Sequence, residues 1–405
     1  MNSGLSTLNS QLSTCLLAWA LVGSFSYAEQ LPSSFAYAGE SPPTNESRVF
    51  KAVAEEPSAV KLISASDPAF RYAGRIDHSD AAGPVIIWQG SRISIDFEGE
   101  KLTLSFDDLN GQTFFDAQVD EARAVLAMRG EKKHWFALQS SLGPGWHRLT
   151  LIKRSEANAG TVRFKGILVA QNAHVRPADQ APPGLAMEYI GDSITVGACN
   201  EDGAQDQWED RLSHNNNLSY AAITAAAFSA DYRNTAVSGM GVVTGYVPMR
   251  ATQIWDRLYP APSSAPADLV SWTPDVAFVL LGENDDSFTT SHGKPFPENF
   301  ADEYVALVRQ VRKGYPHARI VLLRGGMYGG SQSPSLRKAW ESAVSRLEAD
   351  DAKISHFVFS HWSKNHPRVA DDRAMADELV GWLKVQDFMR EAANVKAEAR
   401  KEETK

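Results

Sequence analysis

Three continuous apolar runs in the second half of the chain limit its possible folds more than any other feature. The runs are "LAMEYIG" from residue 185, "DVAFVLLG" from residue 275 and "RIVLLRGG" from residue 319. Such runs are typical of strands buried on both faces of a parallel sheet. The segments between them, including "NLSYAAITAAAFSA" and "NFADEYVALVRQVRKGY", have helical patterns. Alternating strands and helices predict a three-layer α/β/α domain with a parallel sheet over residues 185–388.

The first half of the chain has a different pattern. Between residues 60 and 173, short alternating segments such as "RISIDF", "KLTLSF" and "HRLTLIKR" are separated by turns such as "EGEK" and "GPGW". Short strands at this spacing, without a helical segment between them, predict a β-sandwich or jelly roll. The Pro-rich stretch "HVRPADQAPPG", residues 174–184, predicts a linker between the two domains.

Both ends of the chain differ from these domains. Residues 1–28 carry no charge and contain the apolar run "CLLAWALVG", which predicts a secretory signal peptide. We interpret residues 29–59, rich in Ser, Pro, Ala and Glu, as a linker. Residues 389–405 are charged and Ala-rich, which predicts a frayed helix or a disordered tail.

The net charge of -9 argues against a nucleic-acid partner, which would select clustered Lys and Arg. After residue 28, no apolar stretch is long enough to cross a bilayer. We therefore expect a secreted or periplasmic monomer without a membrane partner. Without the signal peptide, Cys199 is the remaining cysteine, so no intrachain disulfide is expected, and we interpret it as a small core residue.

The first apolar run leads directly into "GDSI", and this motif is open to two interpretations. Ser193 follows a strand and begins the next predicted helix, where backbone N–H groups favour a developing negative charge. It could be a nucleophile, or it could only cap the helix. The second Gly of a Gly-x-Ser-x-Gly elbow is replaced by Thr195, so the α/β-hydrolase pattern is absent.

Three other motifs should meet Ser193, because ligands bind at the carboxyl ends of the strands of an open parallel sheet. Gly239 in "NTAVSGMG" could offer a backbone N–H to an oxyanion, or could simply serve a loop. Asn284 in "LLGENDD" could be a second donor or a turn residue. His366 in "HWSKNHPRVADD" could be a general base, with His361 as its main competitor.

Three acids surround Asn284, namely Glu283, Asp285 and Asp286. They could suggest a metal site, but no His or Cys lies near them in sequence. We therefore expect no metal and no other cofactor.

In order and spacing, Ser193, Gly239, Asn284 and His366 resemble the four blocks of the SGNH hydrolase superfamily, also called GDSL esterases. The resemblance implies that Ser193 attacks an ester carbonyl and that His366 is the base. It also implies an oxyanion hole formed by Asn284 and the backbone N–H groups of Ser193 and Gly239.

Many members place an Asp two or three residues before the His, where this chain has Lys364 and Ser363. A backbone carbonyl could orient His366 instead, or Asp371 or Asp372 could fold back towards it.

The β-rich half resembles the first domain of carbohydrate esterase family two, on the segments "GRID", "WQGSRISIDFEG", "VDE", "LGPGWHRLTLIKRSE" and "FKGILV". This resemblance implies removal of O-acetyl groups from xylan, glucomannan or related polysaccharides. Trp362 and Tyr246 are candidates for stacking on sugar rings, although either could be a core residue. Two alternatives remain open: a lipid or peptidoglycan esterase, and a sugar-binding protein with an inactive site.

Overall fold

The computed structural model describes residues 50–130, 132–139, 141–179 and 184–403, with side chains to residue 396. The predicted signal peptide, residues 1–28, and residues 29–49 of the predicted linker lie outside the described residues. Among the helices that are described, none has the length and apolar character needed to cross a membrane.

The first domain is antiparallel throughout its paired strands. In the described part of the chain, twelve strands form one connected sheet, whose main path has the order β12-β6-β10-β7-β11-β5-β4. The strands are β1 Phe50–Val53, β2 Val60–Ser64, β3 Arg71–Ala73, β4 Ile76–Asp77, β5 Val85–Ile86, β6 Arg92–Glu98, β7 Thr103–Val119, β8 Ala122–Arg129, β9 Lys133–Leu138, β10 Trp146–Lys153, β11 Gly160–Ala170 and β12 Val175–Arg176. The long strand β7 joins the two halves of the sheet, because it pairs with β9 and β11 near its start and with β8 and β10 near its end.

Alternating apolar side chains of these strands form one core, in agreement with the period-2 pattern of the sequence. Ile93, Ile95 and Phe97 of β6 are fully buried, and Phe106 of β7 lies 5.2 Å from Phe164 of β11 between ring centroids. The prediction of a first domain built from β-strands is confirmed, and its pairing is antiparallel. The jelly-roll order stays a prediction.

The second domain has the predicted parallel sheet. Its strands are β13 Ala186–Gly191, β14 Asp231–Ala236, β15 Val276–Leu280, β16 Arg319–Met327 and β17 Ile354–Ser363, in the order β14-β13-β15-β16-β17. Its helices are α1 Ser193–Val196, α2 Tyr220–Ala227, α3 Ala251–Ile254, α4 Glu283–Ser291, α5 Phe300–Gly314, α6 Tyr328–Gln332, α7 Pro334–Asp350, α8 Val369–Lys384 and α9 Asp387–Glu403.

Helices cover both faces of this sheet. Residues of β15 such as Ala277 and Val279 join a core with α5 and α7, whereas Phe278 stacks on Tyr189 at 4.4 Å on the opposite face. Tyr189 in turn contacts Tyr220 of α2 on that face. Burial of alternate side chains on two sides explains why these strands are apolar without interruption.

Three predicted boundaries need correction. The predicted linker of residues 174–184 begins too early, because strand β12 lies within it and pairs with β6. Strand β1 lies within residues 29–59, which we interpreted as a linker, because Phe50 is buried and pairs with Leu138 of β9. The expected tail begins inside helix α9, whose Met389 is buried and whose Phe388 lies beneath the guanidinium of Arg319. Local composition did not reveal these tertiary contacts.

The two domains share buried contacts. Val85, Ile87, Trp88 and Ala157 of the β domain belong to the same apolar cluster as α5 and α7. Arg75 of the β domain forms a buried ion pair with Glu188 of β13 at 2.9 Å. The β domain therefore packs directly against the second domain through buried side chains.

Candidate active site

Ser193 lies where the sequence places it, at the carboxyl end of β13. Strand β13 ends at Gly191, and a Cβ there would come within 2.2 Å of Thr195 Oγ1, so the turn requires glycine. Asp192, not Ser193, is the N-cap, and its side chain accepts the N–H of Ile194 at 3.1 Å. The interpretation of Ser193 as a cap is therefore wrong, and its hydroxyl is available for another partner. Because α1 has only four residues, the expected helix-dipole contribution is small.

The partner of Ser193 is His366, in the loop between β17 and α8. His366 Nε2 lies 2.9 Å from Ser193 Oγ. On the other side of the ring, His366 Nδ1 lies 2.7 Å from Asp206 Oδ2. A carboxylate accepts hydrogen bonds, so Nδ1 carries the proton and Nε2 presents its lone pair to the Ser193 hydroxyl. Ser193, His366 and Asp206 thus form a continuous hydrogen-bonded chain.

Asp206 is held as an anion. Burial disfavours its charge, but the hydrogen bonds from His366 and Arg368, together with the attraction between the carboxylate and the imidazolium form of His366, outweigh the burial. They hold the pKa of Asp206 well below its usual range. Arg368 forms an ion pair with Asp206 Oδ1 at 2.8 Å, which fixes the carboxylate from its second oxygen.

The two acids that the sequence suggested as partners of His366, Asp371 and Asp372, have other hydrogen-bond partners. Asp371 accepts a hydrogen bond from His361 Nε2 at 2.8 Å, so the two form a separate pair. Asp372 is fully buried, where it accepts the N–H of Tyr220 and the amide of Asn200. The suggestion that either acid folds back to His366 is therefore wrong. The alternative that a backbone carbonyl orients His366 is also wrong, because its Nδ1 faces Asp206.

Sequence reasoning missed Asp206, which precedes His366 by 160 residues. It lies in a loop after α1, in the acid-rich segment "EDGAQDQWED" of residues 201–210. An acidic segment so close to the serine could have been a signal. Nothing in its spacing, however, distinguishes Asp206 from the four other acids of that segment.

Gly239 and Asn284 lie in neighbouring loops. Gly239 follows β14 with a φ of 81°, a left-handed conformation that favours glycine. Asn284 is the second residue of α4, and its amide donates to Met240 O at 3.0 Å. A Cβ added to Gly245 would lie 2.3 Å from Gly239 O and 3.5 Å from Asn284 Cβ. The structure therefore brings the second and third motifs into contact.

The acids around Asn284 are occupied by protein donors. Glu283 accepts the N–H groups of Gly329 and Gly330, and Asp286 accepts the Ser333 hydroxyl. Asp285 accepts three backbone N–H groups at 2.7 to 2.9 Å, yet its burial raises its pKa to about 6. These carboxylates support loops, and their oxygens are not arranged around a common point.

The described side chains with metal-ligand spacing lie elsewhere, in two groups that share Cys199. One adds Asp206 and His366, and the other adds Asp202 and His214. Both nitrogens of His366 already have hydrogen-bond partners, so a metal in the first group would compete with the Ser193 contact. Cys199 is buried, as predicted for a core residue, and burial raises the pKa of its thiol, which disfavours the thiolate that metals prefer.

Partly exposed aromatic side chains lie at or beyond the carboxyl ends of the parallel strands. Trp362 is 37% exposed at the end of β17 and lies edge-to-face with Tyr328 at 5.9 Å. Tyr246 is 54% exposed and follows the Gly239 turn. Trp208, which sequence reasoning missed, lies edge-to-face with His366 at 5.0 Å. Neither Trp362 nor Tyr246 is a core residue, so the apolar-core alternative for them is wrong.

Both domains match known protein families. The family model described as Carbohydrate esterase 2 N-terminal matches residues 72–178, and the family model of the GDSL-like Lipase/Acylhydrolase family matches residues 189–379. The Cellulase/esterase CelE of Acetivibrio thermocellus is 30% identical over 328 residues, which are 78% of this chain and 39% of that protein. This chain therefore spans well under half of that relative.

Two further proteins match along most of their length. An acetylxylan esterase / glucomannan deacetylase of Cellvibrio japonicus is 28% identical over 315 residues, which are 73% of this chain and 84% of that protein. The solved structure of a family two carbohydrate esterase from Clostridium thermocellum, in complex with cellohexaose, is 30% identical with a TM-score of 0.69. That match covers 78% of this chain and 98% of the solved one. The domain order, the serine motif and this extended similarity together show that the chain belongs to carbohydrate esterase family two, a family of carboxylic ester hydrolases.

Proposed function

We propose that this chain is a serine esterase that removes O-acetyl groups from plant polysaccharides such as xylan and glucomannan. The observation that carries the proposal is the hydrogen-bonded chain Ser193–His366–Asp206, because its geometry suits the activation of a hydroxyl nucleophile. The polysaccharide substrates are those in the name of the Cellvibrio japonicus relative.

The first half of the reaction transfers the acetyl group to the enzyme. Ser193 Oγ attacks the acetyl carbonyl carbon while its proton moves to His366 Nε2. The imidazolium that forms is stabilised by the anionic Asp206 at Nδ1. When the tetrahedral intermediate collapses, the bond from carbon to the sugar oxygen breaks, and that oxygen takes the proton from Nε2. The deacetylated sugar leaves, and an acetyl-Ser193 ester remains.

Water completes the cycle. His366 Nε2 takes a proton from water as the water oxygen attacks the acetyl-Ser193 carbonyl. The bond to Ser193 Oγ then breaks, Oγ takes the proton back, and acetic acid is released. In both halves the oxyanion would accept hydrogen bonds from the backbone N–H groups of Ser193 and Gly239. The Asn284 amide hydrogen that does not point at Met240 O would be a third donor.

The exposed aromatic residues support a sugar substrate. Four aromatic side chains of the second domain are more than a third exposed, which suits stacking on sugar rings, and one of them contacts His366: Trp362, Tyr328, Tyr246 and Trp208. The absence of an acid near His366 in sequence was the feature that favoured a sugar-binding protein with an inactive site. Asp206, although distant from His366 in the sequence, lies beside it and takes the position of that acid. Secretion and a monomeric state belong to the same proposal. Detection of the protein outside the cells that produce it tests the first, and size-exclusion chromatography tests the second.

Acetate release by the wild-type protein and by Ser193→Ala tests the proposal. We expect the wild type to release acetate from acetylated xylan or glucomannan and the variant to lose this activity by a factor of at least about 10⁴. Long-chain lipid esters and O-acetylated peptidoglycan serve as comparison substrates. Activity confined to either of them would refute the polysaccharide substrate, and unchanged turnover in Ser193→Ala would refute the mechanism.

A further inference from the structure

We infer that Glu156 of the β domain is a positioning residue for catalysis, because it holds the Gly239 turn and the loop that carries Asp206. The inference rests on the proposed esterase mechanism. Glu156 follows β10, and its side chain is only 2% exposed. Its two carboxylate oxygens reach two different parts of the second domain.

The first contact fixes the turn that contains Gly239. Glu156 Oε2 accepts the backbone N–H of Ser238 at 2.9 Å. The Ser238 N–H belongs to the peptide plane that directly precedes the one containing the Gly239 N–H. A hydrogen bond to a carboxylate is about twice as strong as one between neutral groups. Glu156 therefore fixes the backbone one residue before the N–H that we assign to the oxyanion, and so helps to position the turn.

The second contact reaches the other side of the site. Glu156 Oε1 accepts a hydrogen bond from Arg211 Nη1 at 3.1 Å. The Arg211 guanidinium lies 5.0 Å from the centroid of Trp208, and Trp208 in turn packs edge-to-face on His366. Trp208 and Asp206 belong to the same loop. The Glu156 carboxylate thus contacts both the turn that contains the oxyanion donor Gly239 and the loop that packs on the general base His366.

The backbone around Glu156 is itself well anchored. Lys153 is fully buried, and its Nζ donates to the carbonyl oxygens of Ile87, Ser155 and Glu156 at 2.8 to 3.0 Å. Gln89 accepts the N–H of Ala157 and donates to Ala236 O at the end of β14. A residue that positions others must be immobile, and these contacts provide that support.

Arg154, two residues before Glu156, also contacts the loop that carries Asp206. Arg154 forms ion pairs with Asp116 of β7 and with Glu201, and it donates to Leu212 O. Glu201 and Leu212 lie on either side of Asp206 in the chain. The β domain therefore holds the Asp206 loop at several points, through Arg154 and also through Gln112 at Glu209 and Arg211 and Arg129 at Asp210. Glu156 contacts both this loop and the Gly239 turn.

The chain offers a matched control in Glu188. Glu188 is also a buried carboxylate that pairs with an arginine across the domain interface, with Arg75 at 2.9 Å. Its carboxylate also accepts a hydrogen bond from the hydroxyl of Thr235 in β14, and Thr235 belongs neither to the Gly239 turn nor to the Asp206 loop. Loss of Glu188 should therefore weaken the interface without moving the catalytic groups.

The experiment measures kcat and KM for 4-nitrophenyl acetate, inhibition by a boronic acid, and thermal unfolding, for Glu156→Ala, Glu156→Gln and Glu188→Ala. A boronic acid forms a tetrahedral adduct with the serine and therefore reports on the oxyanion donors. We expect Glu156→Ala to lower kcat roughly 10- to 100-fold with KM within about twofold, less than the loss of a whole oxyanion donor. Boronate affinity should fall by a similar factor. Glu188→Ala should lower the Tm at least as much and leave kcat and boronate affinity unchanged.

Glu156→Gln keeps the size of the side chain but can accept only one of the two hydrogen bonds, so its kcat should fall less than that of the Ala variant. Should Glu156→Ala fail to fold, a Gln variant with wild-type kcat and boronate affinity would overturn the inference. Equal losses of kcat in Glu156→Ala and Glu188→Ala would also overturn it, since stability alone would then explain both. A wild type without acetylesterase activity would instead refute the proposed function.

Discussion

Replacement of Asp206 by Asn tests the part of the site that only the folded structure brings together. Asn has nearly the same size and shape, so the change removes the negative charge beside His366 while disturbing the packing little. His366 Nδ1 and Asp206 Oδ2 are 2.7 Å apart, and the two side chains are 14% and 21% exposed. Water therefore reaches the pair, and a high effective dielectric constant is appropriate.

The expected loss follows from Coulomb's law. At an effective dielectric constant of about 20, unit charges about 4 Å apart attract by about 4 kcal/mol, which is about a thousandfold in rate. Arg368 already compensates part of the Asp206 charge at 2.8 Å, so the loss should be smaller. We expect kcat of Asp206→Asn to fall by a factor of roughly 10² to 10³.

The assay is hydrolysis of 4-nitrophenyl acetate between pH 5 and pH 9, with thermal unfolding measured in parallel. Asp371→Asn is the matched control, because Asp371 pairs with His361 at 2.8 Å with a similar exposed fraction of its side chain. The control should keep its kcat within about twofold. A kcat of Asp206→Asn within fivefold of wild type, or an equal loss in the control, would refute the assignment of Asp206 as the partner of His366.

Two further predictions concern binding and stability. Trp362→Ala should raise KM for acetylated polysaccharide roughly tenfold, while hydrolysis of 4-nitrophenyl acetate should be unchanged, because the small ester does not need a sugar platform. Trp146→Ala, which removes an exposed ring of the β domain, is the control, and an equal effect of both changes would contradict the prediction. Burial raises the pKa of Asp285 to about 6, so this native carboxyl binds a proton that the unfolded chain has lost, and its contribution to stability should decline as pH rises from about 4 to 6. In Asp285→Asn the free energy of unfolding, measured with urea, should depend less on pH over this range, and an unchanged slope would show that another group is responsible.

The four motif residues were accessible from the sequence because each is marked by its immediate neighbours. Ser193 and Asn284 directly follow apolar runs that read as buried strands, and His366 follows the last strand. Parallel strands place their carboxyl ends at one edge of the sheet, so the approximate meeting of these residues follows from the pattern alone. Trp362 and Tyr246 are exposed, as a sugar-stacking role requires, and that role stays a prediction.

The two residues that the sequence did not reveal, Asp206 and Glu156, both contact groups that are distant in the chain. Asp206 reaches His366 across 160 positions, and Glu156 reaches Ser238 across 82 positions. Each belongs to an irregular segment, where no periodicity indicates which side chains point inwards. The predicted linker was wrong at residues 50–53 for the same reason, because β1 is recognisable only by its pairing with β9.

The sequence by itself determined the two domains, the parallel sheet and the serine and histidine, because hydrophobic period and short motifs depend on residues a few positions apart. Only the tertiary structure decided what orients His366 and how the β domain reaches the catalytic loops. Those contacts depend on where loops distant in the chain meet, and the energy that selects one carboxylate over its neighbours arises only after burial has brought the charges together.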